Sequence, residues 1–183
     1  MKHLGTKYLE TNRLILRPFS LGDTASMFKN WASDEEVTKY LTWPPHRNMN
    51  TTQEVLKSWI HNYTKEDYYQ WAIVLKENHD EPIGSIGVNA YNHSIDMAQI
   101  GYCIGKKWWH KGITTEALMC IMNFLFYEVG VKRIEATHDV NNPNSGSVMK
   151  KCGMKYEGTL RQAGINNQGI HDVCYYAKLI SDK

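Results

Sequence analysis

A chain of 183 residues with 42% hydrophobic content is long enough to bury a core of its own, and residues 1–183 read as one domain. Its 21 basic and 19 acidic residues leave a formal charge of +2, scattered rather than blocked, which argues against a nucleic-acid binder. Met1 to Glu10 carry no apolar run or small-residue cleavage site. The most apolar stretch, Ala117 to Tyr127, falls short of the roughly 20 residues a membrane span needs, so a cytoplasmic protein is expected. Cys103, Cys120, Cys152 and Cys174 form no C-x-x-C pair and sit beside apolar neighbours, as buried thiols do in a reducing compartment; Cys103 reads as core rather than nucleophile. The histidines at 3, 46, 61, 79, 93, 110, 138 and 171 show no i, i+4 pair, and no metal site is expected.

In chain order, Leu14-Ile-Leu16 before Arg17-Pro18 predicts a strand, and Asp23 is placed to cap a helix running toward Trp31. Ser33 to Leu41 reads as helical, and Pro44-Pro45 break it into a loop suited to a substrate rim. Thr51 or Thr52 is the expected cap of the next helix, with Val55, Leu56, Trp59, Ile60 and Tyr63 on one face. Tyr68–Lys76 and Ile83–Asn89 predict strands joined through the polar turn Glu77–Pro82, and Ala98–Ile104 completes an antiparallel meander. A helix from Thr114 or Thr115 to about Glu128 ends at Gly130, and Arg133–His138 follows as a strand. A strand–helix–strand crossover favours a parallel pair, so the sheet should be mixed. Asn142-Pro143 starts the last helix and Gly153 ends it. Met154–Leu160 and Val173–Leu179 close the chain as a hairpin, with Val173, Tyr175, Ala177 and Leu179 on one face, and the last strand is placed to pair across a homodimer.

The most informative segment runs from Ala98 to Ala117. A strand enters a glycine-bearing loop containing Lys106, Lys107 and Lys111, then a helix whose first N–H groups lack intrahelical partners. That order builds an anion site suited to a diphosphate. It contains neither G-x-x-x-x-G-K-[ST] nor G-x-G-x-x-G, so kinase, GTPase and dinucleotide readings lose support.

Ala98-Gln-Ile-Gly-Tyr-Cys-Ile104 and the loop after it resemble the acyl-coenzyme A signature of the GNAT N-acetyltransferases. Trp109 stands where that pattern has Gln or Arg, Thr114 where it has Gly or Ala, and Gln99 where many members carry a carboxylate. Asn142-Pro-Asn-Ser145 through Gly153-Met154 resembles the family's second block. Glu10 to Pro18 and His171 to Ala177 resemble the opening strand and terminal hairpin of the ribosomal-protein N-terminal acetyltransferase branch. The resemblance implies a mixed, mostly antiparallel α/β GNAT sheet of about seven strands flanked by helices and splayed between the fourth and fifth strands.

It also implies acetyl-CoA as co-substrate, with the pantetheine arm on the main chain of Tyr102, Cys103 and Ile104. The diphosphate would lie against the backbone of Trp109, His110, Lys111, Gly112, Ile113 and Thr114, with Thr115, Asn142 and Ser145 completing the set. A Tyr102 or Cys103 N–H would serve as oxyanion donor, and Ser145 would be the acid at the leaving sulfur or a helix-positioning residue. Gln99 and Gly164 empty both usual carboxylate positions, which leaves His138, His110 and Asp172 as candidate bases with none preferred. Among the aromatics of the first half, Trp43 beside Pro44-Pro45 is the best placed to wall an acceptor pocket.

A site without a strong base favours a weakly basic acceptor, so the expected substrate is a protein α-amine. A small amine or aminoglycoside is the alternative, and a non-catalytic coenzyme A binding module is the reading from another class.

Overall fold

The computed structural model describes residues 1–77 and 80–182. Asn78 and His79 of the expected Glu77–Pro82 turn lie outside the described residues. Among the described residues eight strands form one sheet: β1 (Leu9–Glu10), β2 (Leu14–Arg17), β3 (Gln70–Leu75), β4 (Pro82–Asn92), β5 (Met97–Ile104), β6 (Arg133–Asp139), β7 (Lys155–Asn166) and β8 (Gly169–Leu179). Their order is β1-β2-β3-β4-β5-β6-β8-β7, one strand more than the expected seven because β1 adds a short edge pairing. The helices are α1 (Thr24–Met27, continued by a π-type turn over Phe28–Ala32), α2 (Glu35–Thr38), α3 (Met49–Asn62), α4 (Ile113–Phe124, with a π-type turn over Leu125–Val129) and α5 (Pro143–Lys151).

Both faces of the sheet are covered, which is why β3 is an almost unbroken apolar run. Trp71 and Ile73 face the larger core with Ile100, Leu118, Ile121 and Ile134 beneath α4 and α5. Ala72 and Val74 face the smaller core of Phe19, Met27, Trp31 and Leu56 beneath α1 and α3. Among the described residues one strand pair is parallel. β5 and β6 are joined by the α4 crossover and pair only at Met97–Arg133, Ala98–Ile134 and Gln99–Glu135. From Ile100 onward they diverge; this is the splay expected between the fourth and fifth strands, which the additional edge strand β1 makes the fifth and sixth.

Several local expectations are corrected. Asn48 caps α3, its side chain accepting from the Thr51 N–H at 3.0 Å, in place of Thr51 or Thr52; Thr52 is buried and bonded to His46. Asp23 turns its carboxylate back to Ser20 and the Arg17 guanidinium instead of capping α1. Of the Ser33–Leu41 stretch only Glu35–Thr38 is helical, capped by Asp34. On β8 the buried residues are Val173, Cys174, Tyr176 and Ala177, not one alternating row, because both faces there are covered. From Val173 to Ala177 this last strand pairs with β6 on one side and with β7 on the other, so that stretch has no free edge to pair across a dimer.

Candidate functional site

The cavity at the splay measures about 430 Å³, within the range of small-molecule sites. Tyr102, Cys103 and Ile104 reach it from β5. Trp109, His110, Lys111 and Gly112 reach it from the loop. Ile113, Thr114 and Thr115 come from the first turn of α4, and Asn142 and Ser145 from the start of α5. All twelve residues singled out for the cofactor therefore meet around one cavity.

The polarity of its walls follows from backbone geometry. Gly112, at φ +72°, ends the loop and precedes α4 without any side-chain cap, and His110 takes φ +60° two residues earlier. The N–H groups of the first α4 turn are left open to the cavity. α5 likewise starts without a side-chain cap, Pro143 having no N–H to offer, so two helix N-termini of the same sign converge. Of the three loop lysines only Lys111 lines the cavity. Lys106 pairs with Glu36 at 2.6 Å and Lys107 lies over the Trp108 ring; Lys151 from α5 supplies a further cation. Thr114 is 9% exposed with its bulk turned into the protein, so the β-branched side chain is accommodated where the family pattern has Gly or Ala.

The β5 edge is more selective than the three-residue motif implied. The Gly105 N–H bonds the Ile83 carbonyl, and the regular antiparallel register pairs Cys103 with Ser85. Alternation along such a ladder turns the Cys103 main chain toward β4 and leaves the Tyr102 and Ile104 main chains facing the gap. Trp109 Nε1 donates to the Ile104 carbonyl at 2.9 Å, which explains a Trp at this loop position: it ties the loop to the end of the strand. The free groups are then the Tyr102 N–H and C=O and the Ile104 N–H. Cys103 reaches the cavity through its side chain on the opposite face, its Sγ 3.4 Å from Ser85 Oγ; burial pushes this thiol up, against a nucleophilic thiolate.

Ser145 is held by a contact that sequence reading missed. The Tyr102 hydroxyl donates to the Ser145 carbonyl at 3.0 Å and lies 3.0 Å from Ser145 Oγ. Burial pushes the Tyr102 phenol up, only partly offset by the Ser145 bond, so the pair is neutral. The link joins residues 43 apart in sequence, and no local pattern announces it.

Arg13 braces the loop from outside. Its Nε bonds Glu116 Oε2 at 2.7 Å and a terminal nitrogen bonds the Lys111 carbonyl at 3.0 Å, while Thr11 Oγ1 also donates to Glu116. Burial alone would raise the Glu116 carboxyl, but the bonds from Thr11 and Arg13 hold it below the usual range. A depressed carboxylate stabilises the fold above its ordinary pKa, and that contribution is lost as pH falls through the lowered value. Arg13→Ala is expected to weaken acetyl-CoA binding about tenfold, or about 1.4 kcal/mol, with little change in the melting temperature of the free protein; calorimetric titration and thermal unfolding check both parts.

α2 and the segment after it wall the cavity with Glu36, Val37, Lys39, Tyr40 and Leu41. Trp43 is not among the lining residues. Its ring packs 5.2 Å from that of His46, which anchors the loop through the Ala32 carbonyl and Thr52. The β7–β8 tip bridges to this wall: the Asn167 side-chain amide donates to the Thr38 and Trp43 carbonyls at 2.9 and 2.8 Å, and its backbone N–H donates to the Leu41 carbonyl. Among the base candidates, His110 sits in the loop at the anion end, His138 lies on the α5 face with Nδ1 bonded to the Asp139 carbonyl, and Asp172 accepts from the Gln162 N–H.

Residues 13–155 match the acetyltransferase (GNAT) domain, which takes in β5, the loop, α4 and α5. The chain belongs to the GNAT acetyltransferases. The acetyltransferase is 32% identical to the uncharacterized N-acetyltransferase p20 of Bacillus licheniformis over 154 residues, 84% of this chain and 85% of that protein. It is 30% identical over 116 residues to the ribosomal-protein-serine acetyltransferase of Escherichia coli strain K12, 63% of this chain and 64% of the relative. A GNAT-family acetyltransferase structure from Bacillus anthracis superposes with a TM-score of 0.84 at 25% identity, covering 96% of this chain and all of the other. The protein is an N-acetyltransferase of the mixed, mostly antiparallel GNAT fold.

Proposed function

We propose that this acetyltransferase moves the acetyl group of acetyl-CoA onto the α-amine of a protein N-terminus, a ribosomal protein being the acceptor its relatives suggest, and that it works in the cytoplasm. The observation that carries the reading is the convergence of two uncapped helix N-termini on one cavity beside an unpaired β5 edge. A diphosphate suits the helix ends and Lys111, and an amide-bearing arm suits the free Tyr102 and Ile104 main-chain groups. The kinship with the Escherichia coli ribosomal-protein-serine acetyltransferase supports the acceptor class.

Acetyl transfer from a thioester needs a neutral amine, a donor to the developing oxyanion and a proton for the leaving sulfur. The Tyr102 N–H, rigid in the strand, is the oxyanion donor that the ladder leaves free. Ser145, oriented by the Tyr102 phenol, is the proton donor. Ser145→Ala is expected to lower kcat about 100-fold with the affinity for acetyl-CoA nearly unchanged, since a hydroxyl acting on the sulfur matters chiefly in the transition state. The experiment for the whole reading is thiol release from acetyl-CoA with N-terminal peptides, lysine-only peptides and small polyamines or aminoglycosides, alongside calorimetric binding of coenzyme A. Release specific to α-amines supports the proposal; binding without release on any acceptor would make the protein a coenzyme A binding module.

A further inference from the structure

Gly164 leaves one of the two usual carboxylate positions empty, and a neighbouring strand fills the space. It pairs with His171 across the β7–β8 hairpin, and a Cβ at Gly164 would lie 2.7 Å from His171 Nε2 and 2.7 Å from a Val173 methyl. The His171 ring thus covers the column in which a side chain at 164 would rise.

The surroundings of that ring suit a base. Asp139, 4% exposed at the end of β6, has Oδ2 3.9 Å from His171 Nδ1, and the Asn166 amide fixes the same oxygen at 2.8 Å. The other neighbour of Nδ1 is the Gly169 carbonyl at 3.4 Å. With acceptors on that side, Nδ1 carries the proton in the neutral ring and Nε2 keeps its lone pair. Burial would raise the Asp139 carboxyl, but bonds from Asn141 and Asn166 and the nearby His171 hold it below the usual range, so it stays charged behind the imidazole. The facing β7 residues Gly164 and Asn166 bring no charge.

Register places this pair on the sheet face that carries Cys103, outside the residues that line the cavity. Asp139 pairs with Val173, and His171 lies two residues further along the same strand, so all three share one face. Counting on from the last β5–β6 pair, Gln99–Glu135, Cys103 and Asp139 stand at the same level on that face, across the splay. Four residues before His171 the hairpin tip is tied by Asn167 to the wall containing Leu41. His138 stands on the opposite face, against Tyr176.

We propose that His171, oriented by Asp139, is the general base that deprotonates the acceptor amine. The inference rests on the amine-transfer reading above. His171 Nε2 takes one proton from the ammonium. The freed nitrogen lone pair then forms the C–N bond to the acetyl carbon, the nitrogen gives up a second proton, relayed through Ser145 or a water to the thiolate that leaves as the C–S bond breaks, and the imidazolium returns the first proton to solvent. Products are the acetylated amine and coenzyme A thiol, with no redox change.

The test compares wild type with His171→Asn on an N-terminal peptide across pH, with acetyl-CoA binding measured by calorimetry. At pH 7 the variant should lose about 100-fold in kcat/KM for the peptide while binding acetyl-CoA as wild type does. Near pH 9 the α-amine, with pKa about 7.7 to 8.0, is already neutral, and the loss should shrink below about tenfold. Added imidazole should restore about tenfold at pH 7 in His171→Ala. A loss under about threefold at pH 7, or one equally deep at pH 9, overturns the proposal, the latter because it marks a residue that only shapes the groove. A wild-type protein that binds acetyl-CoA but acetylates no amine overturns the transfer reading instead, and this assignment falls with it.

Discussion

At pH 7 a peptide with a free α-amine and no lysine is expected to be acetylated roughly 10² to 10³ times faster than the same peptide blocked at its N-terminus and carrying one lysine. The reason is the cost of a neutral nucleophile. An α-amine with pKa about 7.7 to 8.0 is roughly 10–15% neutral at pH 7, whereas a lysine at about 10.4 is neutral to about 0.04%. The ratio corresponds to roughly 3 kcal/mol of barrier that a strong base would have to recover. Gln99 is no base, and Gly164 has no side chain. An imidazole is a better match to an α-ammonium than to the far less acidic lysine ammonium. Competition between the two peptides, read by mass spectrometry, checks the preference. Equal rates on both would show that the site holds a base far stronger than any described above, and would end the α-amine assignment.

Arg17→Ala is expected to destabilise the fold by about 3–5 kcal/mol without reaching the cavity. Asp23 is buried, and the Arg17 guanidinium grips it with two bonds of 2.9 and 2.8 Å. A further bond of 2.7 Å runs from Arg17 Nε to Asp80. Removing the cation leaves a buried carboxylate with the Ser20 N–H and hydroxyl as its remaining donors, the case in which breaking an ion pair is far costlier than its net worth. For a chain of this size the loss corresponds to a fall of roughly 10 °C in melting temperature. Urea unfolding measures the free energy directly, and Arg17→Lys, which keeps the charge but not the fork, should recover only part of it. A drop under about 1 kcal/mol would mean that the Asp23 pocket admits water freely.

The parts of the site made of backbone were legible in the chain. Ala98 to Ala117 announces strand, loop and helix because alternation, glycine and helix periodicity are local properties. A helix N-terminus with N–H groups lacking intrahelical partners follows from the order of these elements. Asn142-Pro143 marks the second such terminus for the same reason. The lysines misled in part: a charge run shows where cations are, but Glu36 and the Trp108 ring, which claim Lys106 and Lys107, come from packing.

Side-chain partnerships across the sheet were not legible. Nothing local to Tyr102 points to Ser145, nothing local to Arg13 points to Glu116, and nothing near Gly164 points to a histidine seven residues on that is bent back over it by the hairpin. These depend on strand register, where a shift of one residue exchanges the two faces, and on the two-residue irregularity between Leu160 and Gly164 that sets which β8 side chain stands opposite. Local periodicity by itself determined most of the elements, the mixed sheet and the glycine-bearing turn into α4, since each is written in residues close along the chain. Tertiary structure alone decided which main-chain groups stay free at the splay, which lysine faces the cavity, and that His171 and Asp139 meet on one face of the sheet, because burial and register are set by residues far apart in sequence.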